Sequence, residues 1–194
     1  MMDKTTTKKG YYLGYGLGLL AAVMVLDQLT KWLVFETVLR VAGDAPGFFS
    51  WLVTQRSLES FYDARADYAT VVLAPFLNFV MVWNTGVSFG MFGGGGEWVK
   101  VALIAVAFVI SGVMLAWLYL ASRVLVASAL ALIVGGALGN VIDRFRFGAV
   151  ADFVDVHVMG YHWPAFNVAD SAIAVGAGIL ILDALLNKEN ATVI

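Results

Sequence analysis

The sequence predicts a mainly α-helical, polytopic membrane protein: four transmembrane helices, with a small extracytoplasmic antiparallel β-sheet and a short surface helix. Three observations lead there. Of 194 residues, 61% are hydrophobic and only 13% charged, with a mean hydropathy of +0.84, a balance that soluble domains do not show. Apolar runs at about 11–39, 99–120, 124–142 and 170–186 are long enough to cross a bilayer as helices. The more polar segments at about 40–97 and 143–169 contain β-branched and aromatic stretches that read as strands. The chain 1–194 is accordingly read as a single membrane domain.

The first run follows Lys4, Lys8 and Lys9. A basic start before an apolar run can be a signal peptide. This run is too long for one and no small-residue cleavage site follows it, so it reads as an uncleaved helix with its N-terminus in the cytoplasm. Tyr11, Tyr12 and Tyr15 then mark the inner interface, and Trp32 and Phe35 the outer one. Asp27, Gln28 and Lys31 interrupt the run, where ionisable groups are costly. Two accounts fit equally: an i,i+4 Asp27–Lys31 ion pair with Lys31 snorkelling to the interface, or the same pair bracing an active site.

Residues 40–97 hold Pro46, Pro75 and the run Gly93–Gly96, with no stretch able to span. Val71–Val82 and Val87–Phe92 read as two antiparallel strands joined near Asn84-Thr85-Gly86, a turn-compatible sequence. Thr54–Tyr68, of mixed charge, reads as a short amphipathic surface helix. Val99–Leu120 would reach about 33 Å as a helix, Ser122-Arg123 makes a short inner turn, and Val124–Ile142 returns. Gly135 and Gly139 in that third span are a small-xxx-small pair suited to close helix packing. The fourth span, Asp170–Leu186, brings the C-terminus and Lys188 back to the cytoplasm, and Asp183 lies near its inner end. Basic residues fall on both sides, and the compact N-terminal cluster sets the orientation.

Chemistry concentrates between Gly135 and Asp170. Val150–Val158 alternates as a strand, with Asp152 on the face of Val150, Val154, Val156 and Val158, and Asp155 on the other with His157. A carboxyl on an apolar face is disfavoured as a charge, so the pKa of Asp152 should rise. The third and fourth spans are antiparallel, so Asn140-Val-Ile-Asp143-Arg144 and Asn167-Val-Ala-Asp170 lie at one membrane face with that strand. Two carboxyls there, one holding a proton, are what aspartyl hydrolysis requires. Each acid also has a plainer account. Asn167-x-x-Asp170 before an apolar run resembles a helix N-cap, and Asp143–Arg144 resembles a charged helix end.

Other classes are excluded or weak. The absence of cysteine removes disulfides, thiolate metal sites, a cysteine nucleophile and lipidation of this chain on an N-terminal cysteine. A net charge of -2 gives no reason to expect a nucleic-acid partner. His157 and His162 lack metalloprotease spacing, so no metal is expected. No serine sits in a nucleophile-elbow context, no glycine-rich phosphate loop follows a strand, and no Gly-x-Gly-Asp occurs.

Five boxes appear in order: Asp27-Gln-Leu-Thr-Lys31, Asn84-Thr-Gly86-Val-Ser-Phe89-Gly90, Gly135-Gly-Ala-Leu-Gly139-Asn140-Val-Ile-Asp143-Arg144, Val150-Ala-Asp152-Phe153 and Phe166-Asn167-Val-Ala169-Asp170. In these the chain resembles the lipoprotein signal peptidases (signal peptidase II) of bacterial inner membranes, from Asp27 to the fourth span. The resemblance implies that Asp152 and Asp170 are the catalytic aspartates. It implies that Asn140, Asp143, Arg144 and Asn167 position substrate or brace the dyad, with Asp27 and Lys31 in support. Asn84 and Gly86 would belong to a sheet that cradles the substrate peptide. It further implies a diacylglyceryl-modified prolipoprotein as substrate, membrane lipid around it, no cofactor, and a site near the periplasmic face. Nothing requires more than a monomer. Trp83 stands where the family often has arginine, Val87-Ser88 replaces a common small-residue pair, and residues 54–70 are longer than the usual connection. A proton-relaying transporter and a non-catalytic scaffold are the competing classes. The clustering of acids at one face argues against the first, and Asp152→Asn with Asp170→Asn tests the second.

Overall fold

The structure is a computed structural model that describes residues 9–55, 67–86 and 96–186. Four of its helices are long and apolar enough to cross a membrane. Helix α1 (Leu13–Trp32) continues as a π-helical turn, Leu33–Val38. A short helix α2 (Phe48–Val53) and strands β1 (Val71–Ala74) and β2 (Leu77–Asn84) follow. Then come α3 (Gly96–Leu120), α4 (Val124–Phe147), β3 (Val150–Val158), β4 (Tyr161–His162) and α5 (Val168–Leu186).

Helix α4 is the hub, packed against α1, α3 and α5, and it is mostly buried where the other spans face outward. Close approach depends on its small residues. A Cβ on Gly136 would stand 2.3 Å from the carbonyl oxygen of Ala169 in α5, an approach no other residue permits. The third span is longer than predicted. Asp143, Arg144 and Arg146, which read as a loop beyond Ile142, continue the helix to Phe147. Gly148, at φ 82°, ends it in the left-handed conformation, its N–H bonded to Arg144 O at 3.0 Å.

The sheet is antiparallel in the order β1-β2-β3-β4. Strand β3 has the predicted bounds. The strand expected over Val71–Val82 is instead a hairpin, broken at Pro75-Phe76. Proline has no N–H and cannot continue a ladder. The far neighbour of β2 is β3, with Val82 opposite Asp152 and Asn84 opposite Val150. The expected strand Val87–Phe92 lies outside the described residues, as do most of the predicted surface helix, Lys4, Lys8 and Lys188. The surface helix that is described, α2, lies just before the predicted segment; Thr54 and Gln55 are not helical, and Tyr68 bridges to Arg40.

The sheet is seated on the end of α1. Phe35, Val34 and Leu39 bury against Ala151 and Phe153 of β3, with Phe79 and Trp83 of β2 closing the cluster. Phe35 is therefore a core residue and not the interfacial marker its position suggested. Trp83 stacks on Phe35 at 5.6 Å and meets Phe147 edge-on at 5.2 Å. The residue that departs from the family pattern thus packs beneath the sheet. Glu36, buried in the π-helical turn, pairs with Arg40, which also bonds the Tyr68 hydroxyl at 2.6 Å.

Candidate active site

Five elements converge where β3 passes between the ends of α4 and α5. Asp152 projects from β3 and is 1% exposed. One of its carboxylate oxygens accepts from Asn167 Nδ2 at 2.7 Å, and the other accepts from Asn84 Nδ2 at 3.3 Å. Burial, and then the charge of Asp170, push its pKa up to about 8. This agrees with the rise expected from strand alternation.

Asp170 sits in the first turn of α5 and is partly exposed. Its Oδ2 accepts from the Asn167 N–H at 3.3 Å, while the Asp170 N–H donates to Asn167 Oδ1 at 2.9 Å. This is a reciprocal capping box. The plainer account of Asn167-x-x-Asp170 therefore holds as local structure. The two side-chain amide hydrogens of the same Asn167 are shared among three acceptors, Asp152 Oδ1 (2.7 Å), Asn140 Oδ1 (3.2 Å) and Ala151 O (3.3 Å). One asparagine thus caps the helix and ties the two aspartates together.

Asn140, on α4, donates from Nδ2 to Asp170 Oδ1 at 2.8 Å. Its Oδ1 faces Lys31 Nζ at 3.4 Å. Lys31 is fully buried and does not snorkel. Its ammonium, with three donors, meets Asp27 Oδ2 and Asp143 Oδ2, each at 2.7 Å, besides Asn140. Buried charge of this kind persists only where every donor and acceptor has a partner. Asp27 Oδ1 accepts from the Ala169 N–H at 3.0 Å, so a carboxylate of α1 caps the first turn of α5. A Cβ on Gly139 would come within 2.9 Å of Asp27 Oδ2.

Asp143 and Arg144, adjacent in sequence, do not pair with each other. Asp143 faces inward, to Lys31, to Gln28 Nε2 (2.8 Å) and to the Ala151 N–H (3.1 Å), so it fixes the start of β3 directly. Arg144, a residue further round the helix, donates to Gly86 O at 3.2 Å. Gly86 N–H in turn donates to Asn84 Oδ1 at 3.2 Å. The predicted site residues Asp27, Lys31, Asn84, Gly86, Asn140, Asp143, Arg144, Asp152, Asn167 and Asp170 thus form one connected network. Asp155 does not join it. Burial alone would raise its pKa, but bonds from His162 (2.7 Å) and Asn78 (2.8 Å) outweigh this and leave it below the usual value.

Two further residues belong to the network. Gln28 donates to Asp143 and accepts from Arg146 Nη1 at 3.0 Å. Arg146 also bonds Trp51 O. The polarity of Gln28 inside an apolar run was the available signal; Arg146 carried none, because its partners come from distant segments. Beside Asp170 opens a largely apolar groove of about 380 Å³, lined by Trp163, Pro164, Ala165, Phe166, Ser171 and Ala174.

A protein-family profile for signal peptidase (SPase) II matches residues 19–186. The lipoprotein signal peptidase of Burkholderia mallei is 40% identical over 195 residues, covering 98% of this chain and 99% of the relative. The chain belongs to the signal peptidase II family. That of Alteromonas mediterranea is 42% identical over 142 residues, covering 72% of this chain and 78% of its own length. A bacterial membrane enzyme solved by the in meso method at 2.3 Å has the same fold, with a TM-score of 0.70 at 23% identity, covering 97% of this chain and 98% of that one. This peptidase is therefore a bacterial membrane protease, and neither the transporter nor the scaffold reading is favoured.

Proposed function

We propose that this peptidase is an aspartic endopeptidase whose catalytic pair is Asp152 and Asp170. It removes signal peptides from diacylglyceryl-modified prolipoproteins, cutting on the N-terminal side of the lipidated cysteine. The observation that carries the reading is Asn167, whose side-chain amide bonds Asp152 while its backbone N–H bonds Asp170. Asp152, with its pKa at about 8, holds a proton at neutral pH. Asp170 accepts hydrogen bonds on both oxygens at a helix N-terminus, the setting of an ionised carboxylate.

In this mechanism Asp170 takes a proton from a water held between the two carboxyls. Asp152 donates its proton toward the scissile carbonyl oxygen as the water oxygen bonds to the carbonyl carbon. The tetrahedral diol then collapses. Its C–N bond breaks, the proton on Asp170 passes to the leaving amine of the cysteine, and a diol proton returns to Asp152. The two carboxyls and water supply acid, base and nucleophile, so the reaction as proposed requires no cofactor. Asn140, Asp143, Lys31 and Asp27 hold the pair in place. Arg144 holds the Asn84–Gly86 corner over it.

The topology that suits this chemistry has both termini in the cytoplasm and the pair at the outer face of the inner membrane, in a monomer. Acyl chains of the substrate lie in the bilayer against the outward faces of the spans, which sets the height of the scissile bond. Purified protein is to be offered a prolipoprotein with and without its diacylglyceryl group, and the products sequenced by mass spectrometry. The reading expects cleavage directly before the modified cysteine, with the unmodified precursor spared. Equal cleavage of both, or cleavage elsewhere, would contradict it.

A further inference from the structure

Helix α2 lies just before residues 54–70, the segment longer than the family's usual connection, and the proposed chemistry does not use it. Its sequence, Phe48-Phe49-Ser50-Trp51-Leu52-Val53, splits into two faces. Trp51 is buried against Phe147 of α4, with the Arg146 guanidinium over its ring at 4.0 Å and bonded to its carbonyl. Phe48 meets Trp32 of α1 edge-on at 5.7 Å, and the Trp32 indole N–H donates to Pro46 O at 2.8 Å. Phe49 and Val53, one helical turn apart, share the opposite face and are 80% and 79% exposed.

The height of α2 is fixed by what it rests on. Trp32 stands about 29 Å along α1 from Leu13, and Phe147 about 35 Å along α4 from Val124, at 1.5 Å per residue. Both distances match the far edge of a hydrocarbon core of about 30 Å. Toward the membrane interior Leu29 of α1 is exposed, and at the level of Trp32 so is Leu33, the first residue of the π-helical turn; both form part of the surface that lipid must cover. An exposed phenylalanine and valine at that level continue the lipid-facing surface around the outer ends of the helices. Tryptophan and arginine on the inner face suit the same level, where amphipathic groups collect.

We propose that α2 is an in-plane membrane anchor. Phe49 and Val53 insert into the acyl–headgroup boundary of the leaflet on the active-site side. The partner is phospholipid, and the anchor holds the sheet at a set depth. Arg146 carries that constraint inward, since it bonds Gln28, which bonds Asp143.

The chain has no native cysteine, so single nitroxide labels can be placed by substitution on the full-length protein in phospholipid vesicles. Phe49→Cys and Val53→Cys are compared with Leu29→Cys on the lipid face and Asp44→Cys in the exposed connection. Peptidase activity of each variant reports folding. Collisions with oxygen and with a water-soluble nickel chelate report depth. Labels at 49 and 53 are expected to show an oxygen-to-nickel ratio at least severalfold above that at 44 and approaching that at 29. A ratio equal to that at 44 would overturn the anchor. So would shielding from both reagents, which means coverage by protein, or spin–spin broadening, which means coverage by a second copy.

Discussion

Lys31 Nζ lies 3.4 Å from Asn140 Oδ1, and the amide nitrogen of the same Asn140 lies 2.8 Å from Asp170. A buried cation on α1 thereby sets which end of the α4 amide points at the carboxylate. With the oxygen held by Lys31 and by Asn167, only the NH2 end is left for Asp170, so the donor is oriented before substrate arrives.

Replacing Lys31 with methionine keeps an unbranched side chain one atom shorter and removes the charge. Asp27 and Asp143, both fully buried, would then face each other without a cation. Breaking a buried pair from one side costs about 3–5 kcal/mol. Thermal unfolding in detergent should fall markedly, and activity with it. An unchanged midpoint would show that the lysine is not the counterion of this network.

Asn140→Ala should act on rate more than on binding. It removes the bonds from Lys31 and Asn167 and, of most consequence for rate, the bond to Asp170. One hydrogen bond to a charged group is worth about 1.5–3 kcal/mol, which corresponds to a loss of about 10- to 100-fold in kcat. Steady-state kinetics on a diacylglyceryl-modified substrate separate the cases. A rise in KM with kcat preserved would place Asn140 in substrate binding instead.

Asp152 gives the pH dependence. Its folded pKa, about 8, lies above the ordinary value of 3.8. The folded protein therefore holds a proton that the unfolded chain releases. The associated stability is fully present below about 4 and is lost as pH rises through about 8. Activity follows the same proton, because the protonated acid is the working form. A pH–rate profile should be sustained near neutrality and decline through about 8. A profile still rising beyond pH 9 would remove Asp152 from the acid role.

Gly136→Ala should push α5 away from α4, since the new methyl would meet the Ala169 carbonyl, one residue before Asp170. Overpacking of this kind costs about 1–3 kcal/mol, and displacement of the capping turn should lower activity beyond the loss of stability. Gly112→Ala on α3, where a Cβ meets nothing within 4 Å, is the control and should be neutral. Equal behaviour of the two variants would mean that the glycine contact does not position the Asp170 turn.

Local signals made much of this legible in the sequence. Alternation over Val150–Val158 gave the strand and its bounds, but not the side of Asp152: the core lies under Ala151 and Phe153, on the opposite face, and Asp152 is buried instead against Asn84 and Asn167. The Asn167-x-x-Asp170 spacing admitted either a cap or a functional pair, and the structure has one asparagine capping the helix while bonding Asp152. Long-range pairing was not legible. Asp143 and Arg144 are adjacent in sequence and suggested each other as partners, but a helix turns neighbours about 100° apart, sending one to Lys31 and the other to Gly86. The same charges suggested that α4 ended at Ile142. Buried partners let the helix continue to Phe147. Pro75 was visible in the sequence, yet the strongly β-prone residues around it hid a hairpin within one apparent strand.

The central claim is that Asp152 and Asp170 act as a pair, and it is tested most directly by Asp152→Asn and Asp170→Asn in a cleavage assay with purified protein and lipidated precursor. Asparagine preserves the size of each side chain, and the unfolding midpoint of each variant checks that the fold survives. The account predicts loss of cleavage by at least about 1,000-fold in each variant, of the order seen when a group essential to the chemical step is removed. Cleavage near the wild-type rate in either folded variant would contradict the pair and move the chemistry to another acid.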